Sequence, residues 1–161
     1  MRCFRHSVLL MLIGLVAALT AGPALAAGPT LTVTPDKTVL SPALFKEPIE
    51  FTSTGWEPDE AVVINLKLPK GVTVKGNPPG EDVGISGGQS DAKGEFKGKV
   101  DALTLLMTFF QAAWDNTKMK PDLSKATPLP PGDYTVEAIG FASDKRATAT
   151  LTLLPPPKKD K

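Results

Sequence analysis

Cys3 and His6 are the one thiol and the one imidazole in this 161-residue sequence. Nucleophilic catalysis by a Cys-His or Ser-His-Asp system, and zinc or copper binding, all lean on these side chains. Both residues lie in a segment that reads as a secretory leader, residues 1–26. Arg2 and Arg5 supply its positive start, Val8 to Leu19 its short apolar run, and Ala24-Leu25-Ala26 the small residues of a cleavage site. The run is short for a membrane span and Gly22-Pro23 interrupts it, so no stable span is expected after cleavage. Cys3 precedes the run, which argues against a lipid-bearing cysteine. Cleavage strips the chain of imidazole and thiol, and with them those catalytic systems, those metals and any disulfide.

What remains for chemistry is carboxylates, Lys, Ser, Thr and the single Tyr134. Asp59, Glu60, Glu81, Asp82 and Asp91 are acids in turn-rich stretches, where oxygen ligands can gather around calcium. Their spacing is not that of an EF-hand, and solvated loop charge explains them as well. A carboxylate-pair hydrolase is open in principle, but no spacing points to one. The expectation is therefore no catalytic residue, no metal and no cofactor. Loss of Arg2 and Arg5 takes the 18 basic residues down by two against 17 acidic ones, a net of −1. That balance carries no signature of nucleic-acid binding.

The elements follow a period of two. Thr30–Thr34 alternates hydroxyl and apolar residues, and Pro48–Ser53 places Ile49 and Phe51 on one face. Gly55–Glu60 is a turn, and Ala61–Leu68 is a strand with Val62, Ile64, Leu66 and Leu68 inward. Residues 70–89 read as turn-rich, with at most a short strand at Gly71–Val74. Ser90–Gly94 is a tight turn in which Gly94 takes the left-handed position. Strands resume at Phe96–Val100, Tyr134–Ile139 and Ala147–Leu153, and residues 155–161 form an extended basic tail.

Short strands at this spacing, punctuated by Pro and Gly, argue for an antiparallel sandwich. The runs Gly55-Trp56-Glu57-Pro58-Asp59-Glu60-Ala61-Val62, Ser90-Asp91-Ala92-Lys93-Gly94-Glu95-Phe96, Pro131-Gly132-Asp133-Tyr134-Thr135-Val136 and Ala147-Thr148-Ala149-Thr150-Leu151-Thr152 resemble the successive turns and strands of bacterial immunoglobulin-like modules. The resemblance covers about residues 30–154 outside 101–129. It implies a surface module for adhesion, spacing or ligand presentation. A fainter likeness is to neocarzinostatin-like apoproteins, which implies a cleft for an apolar small molecule. Tyr134 is expected at a corner, its hydroxyl bonded to a loop. Trp56, beside a turn, is either an end-packing residue or part of a ligand platform.

Asp101 to Lys120 breaks the β pattern. Asp101 can cap a helix, Lys118 and Lys120 suit its C-terminus, and Pro121 stops it. On a helical wheel Leu103, Leu106, Met107, Phe110 and Trp114 share one face, with Leu105, Phe109 and Ala112 on a second apolar flank. This apolar arc is wider than one sheet face can cover. Either residues 121–130 or the 70–89 segment fold over it, or it docks a second copy, another envelope protein or an apolar ligand.

The expectation is a mainly β protein: an immunoglobulin-like antiparallel β-sandwich over 27–154, with one inserted α-helix at about 101–120. Its expected role is an exported, non-enzymatic interaction module, secreted or periplasmic. Binding is expected at Leu105, Phe109, Trp114 and Trp56, by self-association or to an envelope protein. The alternative is a carrier of a small apolar ligand between helix and sheet.

Overall fold

The computed structural model describes residues 28–157. The leader reading, with Cys3 and His6, and the charged tail residues 158–161 lie outside the described residues. The chain is mainly β. Its strands are β1 (Thr30–Thr34), β2 (Lys37–Val39), β3 (Glu50–Thr54), β4 (Ala61–Lys67), β5 (Val83–Gln89), β6 (Glu95–Lys99), β7 (Ala113–Asp115), β8 (Lys120–Asp122), β9 (Gly132–Gly140) and β10 (Arg146–Leu154). One short helix, α1 (Ala102–Thr104), runs on into a wider turn over Leu105–Phe109.

Two sheets carry the core. The first has the order β1-β3-β6 and the second β2-β10-β9-β4-β5. Neighbours are antiparallel except β2, which runs parallel to β10. The period-two pattern of the sequence decides which side chains face inward. Val33, Phe51 and Phe96 from the first sheet and Val62, Ile64, Leu66, Tyr134, Val136, Leu151 and Leu153 from the second join one buried cluster. Each large apolar side chain so buried contributes about 1.5–3 kcal/mol against chain entropy.

Three elements differ from the sequence expectation. β5 lies within a stretch that composition marks as turn. Its glycines suit a close approach rather than a loop: Gly88 and, on β6, Gly98 flank the Phe96 ring, and a Cβ at Gly98 would lie 2.7 Å from it. The β4–β5 register shifts between Ile64 and Asn65, which leaves Ile85 without a partner on β4, and Ile85 is buried in the core. β2 continues the chain directly after β1 but pairs in the other sheet.

The third difference is the helix. It ends at Phe109 rather than Lys120. Asp101 caps it as expected, accepting from the Thr104 N–H at 2.8 Å and the Thr104 hydroxyl at 2.9 Å. The coil then widens, with the Phe110 N–H donating to the Leu105 carbonyl, and Gln111 takes a left-handed φ of 47°. Residues 113–122 return as the β7–β8 hairpin. The physical reason is the excess apolar arc itself. A straight helix to Lys120 would leave one flank in water, whereas stopping at Phe109 turns Leu105 and Phe109 into the core.

Candidate functional site

The four residues singled out in the sequence do not meet at one place. Trp56 follows the end of β3, where Thr54 pairs with Glu95. The helix leaves β6 from the other end of that ladder, where Glu50 pairs with Lys99. Trp56 is buried at 5% exposure, and its indole N–H donates to the Ser53 hydroxyl at 2.9 Å. That hydroxyl donates in turn to the Thr30 carbonyl. Trp56 is thus a packing residue that satisfies a buried serine.

Leu105 and Phe109 are 2% and 0% exposed and belong to the buried cluster, so neither is open to a partner. Both segments named as coverings lie against this region. The Leu129 N–H donates to the Phe109 carbonyl at 2.8 Å. From the 70–89 segment, the Lys75 N–H donates to the Gln111 side chain and the Lys75 ammonium to the Gln111 carbonyl.

Trp114 stands apart at 43% exposure. It lies on β7 opposite Pro121, while Asp115 pairs with Lys120. Asp115 accepts the Thr117 and Lys118 N–H groups, and Asp122 accepts the Ser124 N–H and hydroxyl. The Ser124 bonds hold the Asp122 carboxyl below its usual range. These Asx turns shape the hairpin; Trp114, Met119 and Leu123 are exposed on or beside it, as is Leu103 on the helix. A cleft of about 290 Å³ between the helix start and residues 44–48 is lined by Leu44, Phe45, Val100 and Leu105 among others.

At the Trp56 end a buried carboxylate ties two turns together. Glu60 is 3% exposed, and its carboxylate accepts N–H groups from Glu57, Ala142 and Ser143 together with the Ser143 hydroxyl. Burial pushes its pKa up, but these hydrogen bonds outweigh burial and hold the carboxyl below its usual range. The Ser90 hydroxyl joins the network by accepting the Glu60 N–H and donating to the Glu57 carbonyl. The Asp91 carboxyl is likewise held low by the Glu95 and Lys93 N–H groups. Glu60 and Asp91 therefore hold backbone. Among the described residues there is no group of three or more side chains placed to hold a metal ion.

The outer face of the five-stranded sheet carries an alternating chain of charges: Asp144–Arg146 at 3.4 Å, Arg146–Glu137 at 3.5 Å, Glu137–Lys67 at 3.1 Å and Lys67–Asp82 at 3.2 Å. Hydrogen bonds to Glu137 and then Asp82 raise the Lys67 pKa. Beside this chain lies a cleft of about 310 Å³ lined by Val63, Asn65, Ile139, Gly140, Phe141 and Asp144. No signal in the sequence marked it, because its residues come from β4, from the end of β9 and from the turn that follows. A larger cleft, about 410 Å³, lies between β1 and residues 41–50 and is lined partly by Glu47 and Glu50. Among the described residues no helix is long and apolar enough to cross a membrane.

No family model matches the chain. No curated protein matches it. Among solved structures it is similar to DesR, a β-glucosidase from Streptomyces venezuelae, at 16% identity and a TM-score of 0.40 over 80% of this chain and 14% of that one. It is similar to a β-D-glucoside glucohydrolase from Trichoderma reesei at 11% identity and a TM-score of 0.43, over 80% of this chain and 18% of that one. It is also similar to BslA, a bacterial hydrophobin, at 18% identity and a TM-score of 0.37, over 85% of this chain and 100% of that one. The chain thus spans less than a fifth of the length of either glucosidase.

Proposed function

We propose that this protein is an exported, non-enzymatic binding module that docks a protein partner, a second copy or another envelope protein, through the β7–β8 hairpin. The observation that carries this reading is the exposure of Trp114 and Met119 on the β7–β8 hairpin and of Leu123 directly after it, with Leu103 also exposed on the excursion between β6 and β9. The apolar surplus read from the sequence is relocated by the fold, from the Leu105–Phe109 flank to the hairpin. A contiguous apolar surface formed by such side chains would mark a contact site.

The fold is proposed as an immunoglobulin-like sandwich. Support comes from two sheets that share one core, from the crossing of the chain between sheets after β1, and from the Tyr134 hydroxyl bonded to the Pro130 carbonyl at 2.8 Å. The leader sequence supports export. The absence of catalysis rests on the expected removal of Cys3 and His6 with that leader, and on the engagement of Glu60, Asp91 and Tyr134 with backbone.

The test uses the protein purified from its host. Its mass reports whether residues 1–26 have been removed. A photo-cross-linking residue at position 119 is expected to capture either a second copy or one envelope protein. Trp114→Asp with Leu123→Asp is expected to abolish the capture while the fold persists. A monomer by light scattering that cross-links to nothing in the host envelope overturns the docking reading.

A further inference from the structure

Phe141 is 75% exposed, yet its backbone is fixed from both sides. Its own N–H donates to the Ala61 carbonyl at 2.9 Å, and the next two N–H groups, of Ala142 and Ser143, are taken by the buried Glu60 carboxylate. An aromatic ring held out on a pinned loop loses little freedom when a ligand covers it. Val63 and Ile139, directly paired across β4 and β9, join it in lining the same cleft.

Two further features restrict what can lie there. The Asn65 side chain also lines the cleft, and among the described residues no protein hydrogen bond uses its amide. Covering it with a purely apolar group leaves a donor and an acceptor unsatisfied, which is costly. The nearby charges are already matched to one another along the Asp144–Arg146–Glu137–Lys67 chain, so a charged ligand must compete with an existing partner. On the β5 side Gly84 presents no side chain, and a Cβ there would lie 3.8 Å from the Asn65 amide oxygen.

We infer that this outer-face cleft binds a neutral pyranose ring. A sugar ring has an apolar C–H face, which suits Phe141, Val63 and Ile139, and a rim of hydroxyls that donate and accept. Those hydroxyls satisfy the Asn65 amide and the outer oxygens of Asp144 without adding charge. The volume, about 310 Å³, lies at the small end of ligand pockets and suits a ring rather than a length of folded chain. This site is separate from the hairpin and does not depend on the docking reading.

The test is amide NMR of the isotope-labelled protein titrated with maltotetraose, cellotetraose and chitotriose. At least one of these neutral oligosaccharides is expected to shift the Asn65 side-chain amide and the backbone signals around Phe141. Phe141→Ala and Asn65→Ala should each weaken that binding about tenfold or more, with Phe141→Leu as the shape-preserving control should the alanine variant lose stability. Trp114→Asp should bind the sugar as the parent does, which separates this site from the hairpin. The inference is overturned if none of the three sugars shifts these signals, if the Phe141 and Asn65 variants bind like the parent, or if an apolar dye or an anionic oligosaccharide occupies the cleft where the neutral sugars fail.

Discussion

The Glu60 carboxylate accepts the backbone N–H of Ala142 at 2.9 Å across 82 residues of sequence. Together with the bond from Ser143 it ties the β3–β4 turn to the β9–β10 turn. Glu60→Ala would leave several partly buried donors without an acceptor and should cost about 2–4 kcal/mol, read from the urea midpoint. The fold holds this carboxyl below its ordinary 4.5. Its contribution is therefore complete above that pH and is lost as the pH falls through the folded value. The gap between parent and variant should narrow steadily on acidification.

Gly94 has a φ of 74°, and a Cβ there would lie 2.2 Å from the Trp56 carbonyl oxygen. Both the backbone region and the space exclude a side chain. Gly94→Ala should lower stability by about 2 kcal/mol or more, seen as a fall in thermal midpoint. A loss within 0.5 kcal/mol, about the size of a neutral surface change, would contradict this geometry.

Tyr134→Phe removes the hydroxyl that donates to the Pro130 carbonyl and should cost about 1 kcal/mol. Burial raises the Tyr134 pKa above its ordinary 10.0, so the fold favours the neutral phenol. The associated stability is intact below that pH and fades as the pH rises through the folded value. The Phe variant should show a flatter alkaline stability profile in denaturant melts.

Phe109 and Trp114 separate cleanly in energy. Phe109→Ala opens a cavity in the core and should cost about 3–5 kcal/mol. Trp114→Ala acts at an exposed strand position and should change stability by no more than about 1 kcal/mol. Paired urea melts give both numbers. Acidic substitutions at Leu105 or Phe109 accordingly report on folding and not on docking.

Strands whose alternation is written in β-branched residues are legible in the sequence, as Thr30–Thr34 and Ala147–Leu153 illustrate. β5 was not, because Gly84, Gly87 and Gly88 carry no periodicity and owe their conformation to β4 beside them. The helix start was legible in Asp101. Its early end was hidden by helix-forming residues up to Trp114, although Asp115-Asn116-Thr117 held a turn signal that the Asp115–Thr117 hydrogen bond makes plain. Burial of Leu105 and Phe109 depends on partners 20 or more residues away, which no local pattern reveals. The Phe141 cleft has the same origin, for it exists only once β4 and β9 are side by side.

The parallel pairing of β2 with β10 also has a mechanical meaning. Because β2 and β10 run in the same direction, a pull reaching Lys37 from its N-terminal side and Leu154 from its C-terminal side slides Lys37–Val39 lengthwise along Thr152–Leu154. The bonds of that ladder are then stretched in unison instead of peeling one after another. Strands laid in this way resist stretching as a clasp does.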